Sequence, residues 1–145
     1  MRKLSQQQRH VIMASIHAKG TKPELIVRHW LWNHGYRYRL NVKSVPGSPD
    51  IVMRKYRTAI FVNGCFWHGH EVCDKYSIPK TNIDFWMAKV KRNRERDQRN
   101  YKDLHDAGWH VIVIWECQLK KANIDSTMRG IEHELSKKLF DIYKK

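Results

Sequence analysis

The sequence predicts an α/β protein in which a mixed central β-sheet is flanked by helices. Segments of helical and of strand periodicity follow one another in the order helix, three strands, helix, strand, helix. The chain has 145 residues, of which 41% are hydrophobic, a size and composition typical of one domain with one core. No internal repeat or low-complexity linker divides it. We therefore predict a single domain over 1–145.

The motif Thr-Lys-Pro-Glu at 21–24 predicts the start of the first core helix. Threonine can cap a helix, proline is tolerated in its first turn, and glutamate can reach back to the capping residue. This helix is predicted to continue to His34 and to end at Gly35. The preceding residues 1–19 are predicted to form an N-terminal arm.

The remaining elements follow from changes in periodicity. Apolar residues alternate with polar ones in the first predicted strand, and the last predicted strand is almost continuously apolar. The predicted strands cover 36–42, 50–53, 58–62 and 109–115, and the later helices cover 82–105 and 125–142. Four tryptophans are assigned to the core: Trp30, Trp32, Trp109 and Trp115.

The charge of the chain indicates a polyanionic partner. Lys and Arg total 28 against 14 Asp and Glu, which gives a formal net charge of +14. Nucleic acid is the leading candidate, and a ribosome-associated or merely soluble basic protein is the alternative. The chain has no apolar run of bilayer length and no secretory-signal pattern at its start, so we expect a cytoplasmic protein without membrane association.

The stretch NGCFWHGHEVC at 63–73 indicates a metal site. It holds two of the three cysteines and two histidines. An odd cysteine count in an intracellular chain argues against a disulfide framework. Three thiolates, including that of Cys117, and one imidazole would complete a tetrahedral structural zinc site, with His68 and His70 as candidates. The alternative is that Cys117 is a core residue and the loop binds nothing.

Several motifs occur in a fixed order over about residues 5–120, and two of them, Gly-Cys-Phe-Trp-His and Trp-Glu-Cys, are specific. The motifs are Pro46-Gly47-Ser48-Pro49-Asp50, Phe61-Val62-Asn63, Gly64-Cys65-Phe66-Trp67-His68, Phe85-Trp86, Asn93-Arg94-Glu95-Arg96-Asp97, Gly108-Trp109 and Trp115-Glu116-Cys117. Together they resemble the very-short-patch-repair DNA mismatch endonucleases. The resemblance implies a restriction-endonuclease-like fold and a magnesium-dependent nick in one DNA strand, 5′ to the thymine of a T·G mismatch.

The resemblance also implies partners. Such mismatches arise when 5-methylcytosine deaminates, and members of the family usually accompany a cytosine-5 DNA methyltransferase. Double-stranded DNA containing a T·G mismatch is the implied substrate. We expect a monomer that associates with the nucleoid through its DNA substrate.

Residue roles follow from the same motifs. Asp50 resembles the magnesium-binding carboxylate, with the main-chain carbonyl of Val62 as a second ligand, His68 resembles the catalytic histidine, and Glu24 resembles an assisting acid. The implied zinc ligands are Cys65, His70, Cys73 and Cys117. The rings implied to insert into DNA are Phe66, Trp67 and Trp86. The basic helix adds Lys89, Arg92 and Arg96 as phosphate contacts, unless it is a solvated surface helix.

The chain departs from the family pattern around the end of the third strand. Asn63 stands where the family often has histidine, a position that the resemblance counts among the catalytic residues, although an amide cannot replace an imidazole as an acid or base. Val62 stands where the best-known pattern has threonine, a change that is harmless if only the main-chain carbonyl binds metal. The loop from Cys65 to Cys73 is one residue longer, so that His68 stays open as the zinc ligand instead of His70.

Structural explanations compete with several of these assignments. Glu24 can be a helix-capping acid, Asp50 a turn residue, and the aromatic rings part of the core. Two other functions also compete with mismatch nicking. One is a zinc-containing DNA-binding module without catalysis, and the other is a restriction-like nuclease that cuts both strands of matched DNA.

Overall fold

The computed structural model describes residues 20–65, 70 and 80–144. The helices are α1 (Lys22–Asn33), α2 (Ile83–Asp106) and α3 (Ile124–Lys144), and the strands are β1 (Arg39–Leu40), β2 (Ile51–Met53), β3 (Thr58–Asn63) and β4 (His110–Trp115). This order confirms the predicted α/β class and the sequence of elements. The N-terminal arm lies outside the described residues.

The four strands form one mixed sheet in the order β1-β2-β3-β4. β1 pairs antiparallel with β2, and β2 pairs antiparallel with β3. β3 pairs in parallel with β4, so that Asn63 lies beside Trp115 at the carboxyl ends of both strands. Helix α2 makes the crossover that a parallel pair requires. The sheet therefore brings residues 64–65, which follow β3, close to residues 116–119, which follow β4.

The two faces of the sheet carry different helices. On one face, core residues of β2 and β3 cluster with buried residues of α1 and α3. On the other face, Val52, Ala59 and Phe61 cluster with Leu104 of α2 and with Trp109. Side chains alternate between the faces of a strand, so Asp50 and Asn63 belong to the α2 face. No helix in the described residues is long and apolar enough to cross a membrane.

The turn before Asp50 lies directly against α2. Gly47 has φ +78°, a conformation that side chains other than glycine rarely adopt. A Cβ atom at this position would meet Cβ of Asn100 on α2 at 2.8 Å. The Pro-Gly-Ser-Pro-Asp motif thus has a structural basis, because only glycine allows the turn to approach α2 so closely while leading into Asp50.

Two predictions about the elements were wrong. The first strand was predicted over 36–42 but is only Arg39–Leu40, because Asn41 adopts a left-handed conformation with φ 50° that ends the extended segment. Trp32 was assigned to the core but is 52% exposed, with the guanidinium of Arg37 lying 3.6 Å from the centroid of its ring. The α1 stripe of Val27 and Leu31 already fills the core, so Trp32 lies on the exposed side of the helix.

Candidate active site and metal centre

Asp50 lies beside the carboxyl end of β3. Its Oδ2 atom accepts a hydrogen bond of 2.7 Å from the main-chain N–H of Val62. The N–H and C=O of one strand residue point to the same side of the strand, so the Val62 carbonyl also faces the β2 side. A carboxylate and a main-chain carbonyl are hard oxygen ligands of the kind that Mg²⁺ prefers. These two groups could hold such an ion.

Asn63 follows Val62 and belongs to a polar cluster with α2. Its side-chain amide donates a hydrogen bond of 2.9 Å to the hydroxyl of Tyr101. Burial and the negative charges of Asp97 and Asp50 raise the pKa of Tyr101 to about 12, although the hydrogen bond from Asn63 acts in the opposite direction. Asp50, Asn63, Asp97 and Tyr101 thus share one electrostatic environment.

Asp97 and Tyr101 were not predicted as site residues. The buried stripe of α2 consists of Trp86, Val90, Asn93, Asp97 and Leu104. Two polar residues therefore interrupt an otherwise apolar stripe, and they do so four positions apart on one side of the helix. That interruption is the sequence signal that could have identified this part of α2 as facing a site.

Glu24 lies in the first turn of α1 and is only 2% exposed. Its Oε2 atom accepts a 2.9 Å hydrogen bond from the main-chain N–H of Gly20, while its own N–H donates a long bond of 3.4 Å to the Thr21 hydroxyl. The predicted capping role therefore has a direct counterpart, with Gly20 as the donor that the carboxylate reaches. The second oxygen, Oε1, is buried and has no hydrogen-bond partner among the described residues.

An unpaired buried carboxylate oxygen is costly unless a ligand or water satisfies it. Capping explains only one oxygen of Glu24, so the other is able to accept a hydrogen bond from a further group. α1 covers the face of the sheet opposite to the Asp50 and Asn63 side chains. Glu24 is therefore separated by the sheet from the α2 cluster and could reach a shared ligand only at the sheet's edge.

Two cysteines and a histidine form the candidate metal centre. The ligand atoms of Cys65, His70 and Cys117 all lie within 4.8 Å of one another. Sγ of Cys117 is 3.6 Å from Nδ1 of His70. Thiolates and imidazole are the donor set of structural zinc, and one more ligand would complete a tetrahedral site. Cys73, the fourth predicted ligand, and His68, the alternative histidine, lie outside the described residues.

The residues around this centre hold its ligands in place. The ring of His70 stacks on Trp115 at a centroid distance of 4.2 Å and an interplanar angle of 7°. The main-chain N–H of His70 donates to the Cys65 carbonyl at 2.8 Å, and the N–H of Cys65 donates to the Glu116 carboxylate at 3.3 Å. The Trp-Glu-Cys motif therefore supplies a stacking surface, a hydrogen-bond acceptor and a thiol to one centre.

The aromatic residues predicted to insert into DNA are described only in part. Phe66 and Trp67 lie outside the described residues. Trp86 is 8% exposed, with Phe85 edge-on at a centroid distance of 5.0 Å. The exposed apolar side chains at the start of α2 are Ile83, Phe85 and Met87. Trp86 therefore does not lie ready for insertion, and would have to turn outward to reach a duplex.

The predicted phosphate contacts lie along the outer side of α2. Arg92 and Arg96 are exposed, and Lys89 is half-buried. Arg96 also forms a partly exposed ion pair of 3.6 Å with Asp97. Of the three, Arg96 is therefore linked to the polar cluster, through Asp97 and through its charge near Tyr101.

Comparisons with known proteins identify relatives over most of the chain. The family model for DNA mismatch endonuclease Vsr matches residues 1–75. The type II nicking enzyme V.NmeAIP of Neisseria meningitidis is 51% identical over 116 residues, which cover 80% of this chain and 82% of the relative. The type II nicking enzyme V.XorIIP of Xanthomonas oryzae is 42% identical over 130 residues, covering 89% and 95%. DNA mismatch endonuclease Vsr of Escherichia coli is 39% identical over 108 residues, covering 74% and 69%.

The matched region of the family model includes Glu24, Asp50, Asn63 and the Gly-Cys-Phe-Trp-His motif. The resemblance seen in the sequence is therefore confirmed, and with it the class of a DNA endonuclease. The chain belongs to the Vsr family of DNA mismatch endonucleases.

Proposed function

We propose that this endonuclease nicks one strand of a DNA duplex 5′ to the thymine of a T·G mismatch, with Mg²⁺ as the catalytic ion and zinc as a structural ion. The observation that supports the chemistry most directly is the contact between Asp50 and the main chain of Val62 at 2.7 Å. The names of the relatives support the outcome, because they describe nicking and mismatch enzymes.

The carboxylate of Asp50 and the carbonyl of Val62 would hold the magnesium ion. Mg²⁺ commonly uses one or two protein oxygens and keeps the remaining positions for water and phosphate oxygens, which agrees with so sparse a set of ligands. Bound there, the ion would neutralise charge on the scissile phosphate and lower the pKa of a bound water. Asp50 is fixed for this task from two directions, by the tight turn at Gly47 and by the Val62 N–H.

Proton transfer falls to His68 in this proposal. An imidazole titrates near neutral pH and can take a proton from water, whereas the amide of Asn63 cannot. Glu24 lies on the other face of the sheet, so its buried Oε1 atom would accept a hydrogen bond from a site water only at the sheet's edge. Its capping bond to Gly20 fixes the carboxylate at the start of α1, so the acid has both a structural and a functional part.

Zinc would join the loop that contains His68 to the end of the sheet. Cys65 and Cys117 follow the parallel strands β3 and β4, and His70 stacks on Trp115 between them. With Cys73 as the fourth ligand, the ion would anchor the loop at both of its ends and at His70. The loop carries Phe66, Trp67 and His68, so one structural ion would position both the ring wedge and the proton acceptor.

Mismatch preference would come from the aromatic rings. A mismatched pair stacks and pairs less well than a matched pair, so a ring inserted beside it opens the step at a lower cost. A single base–aromatic stack contributes about 1–3 kcal/mol. Phe66 and Trp67 are the proposed wedges on the zinc loop. The exposed neighbours of Trp86 on α2, and Trp86 itself once turned outward, would approach from a second side. Lys89, Arg92 and Arg96 would bind the phosphates and set the salt dependence.

Nicking of labelled duplexes tests this proposal. We would incubate the protein and Mg²⁺ with one duplex containing a T·G mismatch and with a matched T·A duplex of the same sequence, each strand labelled separately. Cleavage of the thymine strand alone, and only in the mismatched duplex, is expected. Binding without cleavage would instead indicate a non-catalytic DNA-binding protein, and cleavage of both strands of the matched duplex would indicate a restriction-like nuclease.

We also propose that the enzyme works as a cytoplasmic monomer alongside a cytosine-5 DNA methyltransferase. The methyltransferase would produce the 5-methylcytosine whose deamination generates the mismatch. Nicking rates on T·G mismatches placed in different flanking sequences test this link. The rate should be highest in one short sequence context, that of the methylated site, and equal rates in all contexts would refute the pairing.

A further inference from the structure

The amide of Asn63 is buried next to the proposed magnesium ligands. Asn63 is 3% exposed and directly follows Val62, whose main chain contacts Asp50. Its Nδ2 atom donates to the hydroxyl of Tyr101 at 2.9 Å. A side chain that follows a metal-binding strand end, and is held by a specific partner on another element, is constrained in a way that a simple space-filling residue is not.

The chemistry of the two side chains determines the direction of this hydrogen bond. A phenol can both donate and accept. Burial and the negative charges of Asp97 and Asp50 raise the pKa of Tyr101 to about 12, so the hydroxyl keeps its proton at neutral pH, and the Nδ2 atom of Asn63 can only donate. The oxygen lone pair then accepts from the Asn63 amide. The atom of Asn63 that remains to accept a hydrogen bond is its carbonyl oxygen, Oδ1.

The side chain of Tyr101 is itself held in place by packing. Its ring lies edge-on to Phe61 on β3, with a centroid distance of 5.0 Å and an interplanar angle of 66°. It extends from the last turns of the long helix α2, next to the buried Leu104. A hydroxyl held by ring packing on a helix can therefore select one rotamer of the amide that it contacts.

We propose that Tyr101 is a positioning residue of the nicking reaction: its hydroxyl fixes the Asn63 amide so that Oδ1 accepts a hydrogen bond from a water molecule at the proposed magnesium site. This inference rests on the proposed function. It gives a neutral asparagine an orienting task at a position where the family often has histidine. Asn63, fixed by Tyr101, binds and orients the water, and His68 accepts the proton of that water.

Tyr101→Phe tests the proposal because it removes only the hydroxyl and keeps the ring against Phe61. We expect kcat for the T·G duplex to fall about three- to tenfold, the effect of one neutral hydrogen bond, with KM within twofold of wild type. In an Asn63→Ala background the same substitution should change kcat less than twofold, because the amide that the Tyr101 hydroxyl positions is absent. Tyr36→Phe is the matched control and should leave kcat unchanged. Tyr36 also has a pKa raised to about 12 but contacts Tyr56 on the opposite face of the sheet.

A second measurement does not depend on nicking. In the protein that keeps its zinc but is free of magnesium, the side-chain NH₂ resonances of Asn63, assigned by their absence in Asn63→Ala, should shift in Tyr101→Phe and stay unchanged in Tyr36→Phe. Unshifted resonances would overturn the proposed contact. Equal losses of kcat in the wild-type and Asn63→Ala backgrounds would overturn the positioning role, since they would indicate a general structural effect. If the wild-type protein does not nick at all, the proposed function fails, and the resonances still decide whether Tyr101 holds Asn63.

Discussion

Replacing Asp50 with asparagine changes the proposed magnesium site with little change of shape. The carboxylate accepts the Val62 N–H at 2.7 Å, and an asparagine oxygen can accept the same bond. A hydrogen bond to a charged group contributes about 1.5–3 kcal/mol and a neutral one about 0.5–1.5 kcal/mol. The free energy of unfolding should therefore fall by only about 1 kcal/mol.

The effect of Asp50→Asn on nicking should be much larger. The substitution removes the only charged ligand proposed for the ion, and metal stabilisation of a phosphoryl transition state is worth several kcal/mol. A loss of about 3–4 kcal/mol corresponds to a rate reduction of about 10²- to 10³-fold. Single-turnover nicking of the T·G duplex measures the rate, and urea unfolding measures the stability.

Asp125→Asn provides the matched control. Asp125 is an exposed carboxylate at the start of α3, paired with Arg129 at 2.9 Å, and lies outside the proposed site. Its substitution should change neither quantity appreciably. A nicking rate of Asp50→Asn within threefold of the wild-type rate would show that Asp50 is not a ligand of the catalytic ion. A loss of nicking accompanied by a large loss of stability would show that the residue acts through the fold.

Further substitutions address the other parts of the molecule. Cys117→Ser should lower the zinc content from one equivalent per chain, as measured by elemental analysis, and should lower the melting temperature; unchanged zinc content would exclude the proposed centre. Glu24→Gln keeps an acceptor for the Gly20 N–H but loses the charge, so we expect nicking to fall about 10- to 100-fold, the effect of one hydrogen bond to a charged group, with little change in stability; wild-type nicking would leave Glu24 with only its capping role. Gly47→Ala should destabilise the protein by about 1–3 kcal/mol in urea unfolding, because the new Cβ meets Asn100 at 2.8 Å in a left-handed backbone conformation, and unchanged stability would show that this turn can move away. Stability should also fall between pH 10 and 12, since the unfolded chain loses the Tyr101 proton near pH 10 while the folded chain keeps it until about pH 12. Tyr101→Phe should make that decline shallower, and an unaltered slope would count against the raised pKa.

Much of the fold could be predicted because it depends on local periodicity. Helix α2 and strand β4 begin and end within one or two residues of their predicted limits. The exceptions arise where tertiary context overrides pattern. The alternation over 36–42 predicts a strand of seven residues, but the left-handed turn at Asn41 and the lack of a longer partner strand leave only Arg39–Leu40.

The site was predictable only as far as its motifs extend. The sequence indicated Cys65, His70 and Cys117 as ligands of one ion, and the structure brings all three together. The contact of Asn63 with Tyr101 could not be foreseen, because it depends on how α2 crosses the sheet over a separation of 38 residues. Asn63 therefore looked like the loss of a catalytic group, whereas its partner shows that the position is specifically held.

The position of the catalytic ion is the most direct measurement of all. A crystal structure of the protein with a T·G duplex and Mn²⁺ in place of Mg²⁺ would locate the ion by its anomalous scattering. We expect one peak within coordination distance of a carboxylate oxygen of Asp50, the main-chain oxygen of Val62 and an oxygen of the phosphate 5′ to the mismatched thymine. A metal peak bound to that phosphate but held by other side chains, with Asp50 facing away from it, would show that the end of β3 is not where this enzyme cuts DNA.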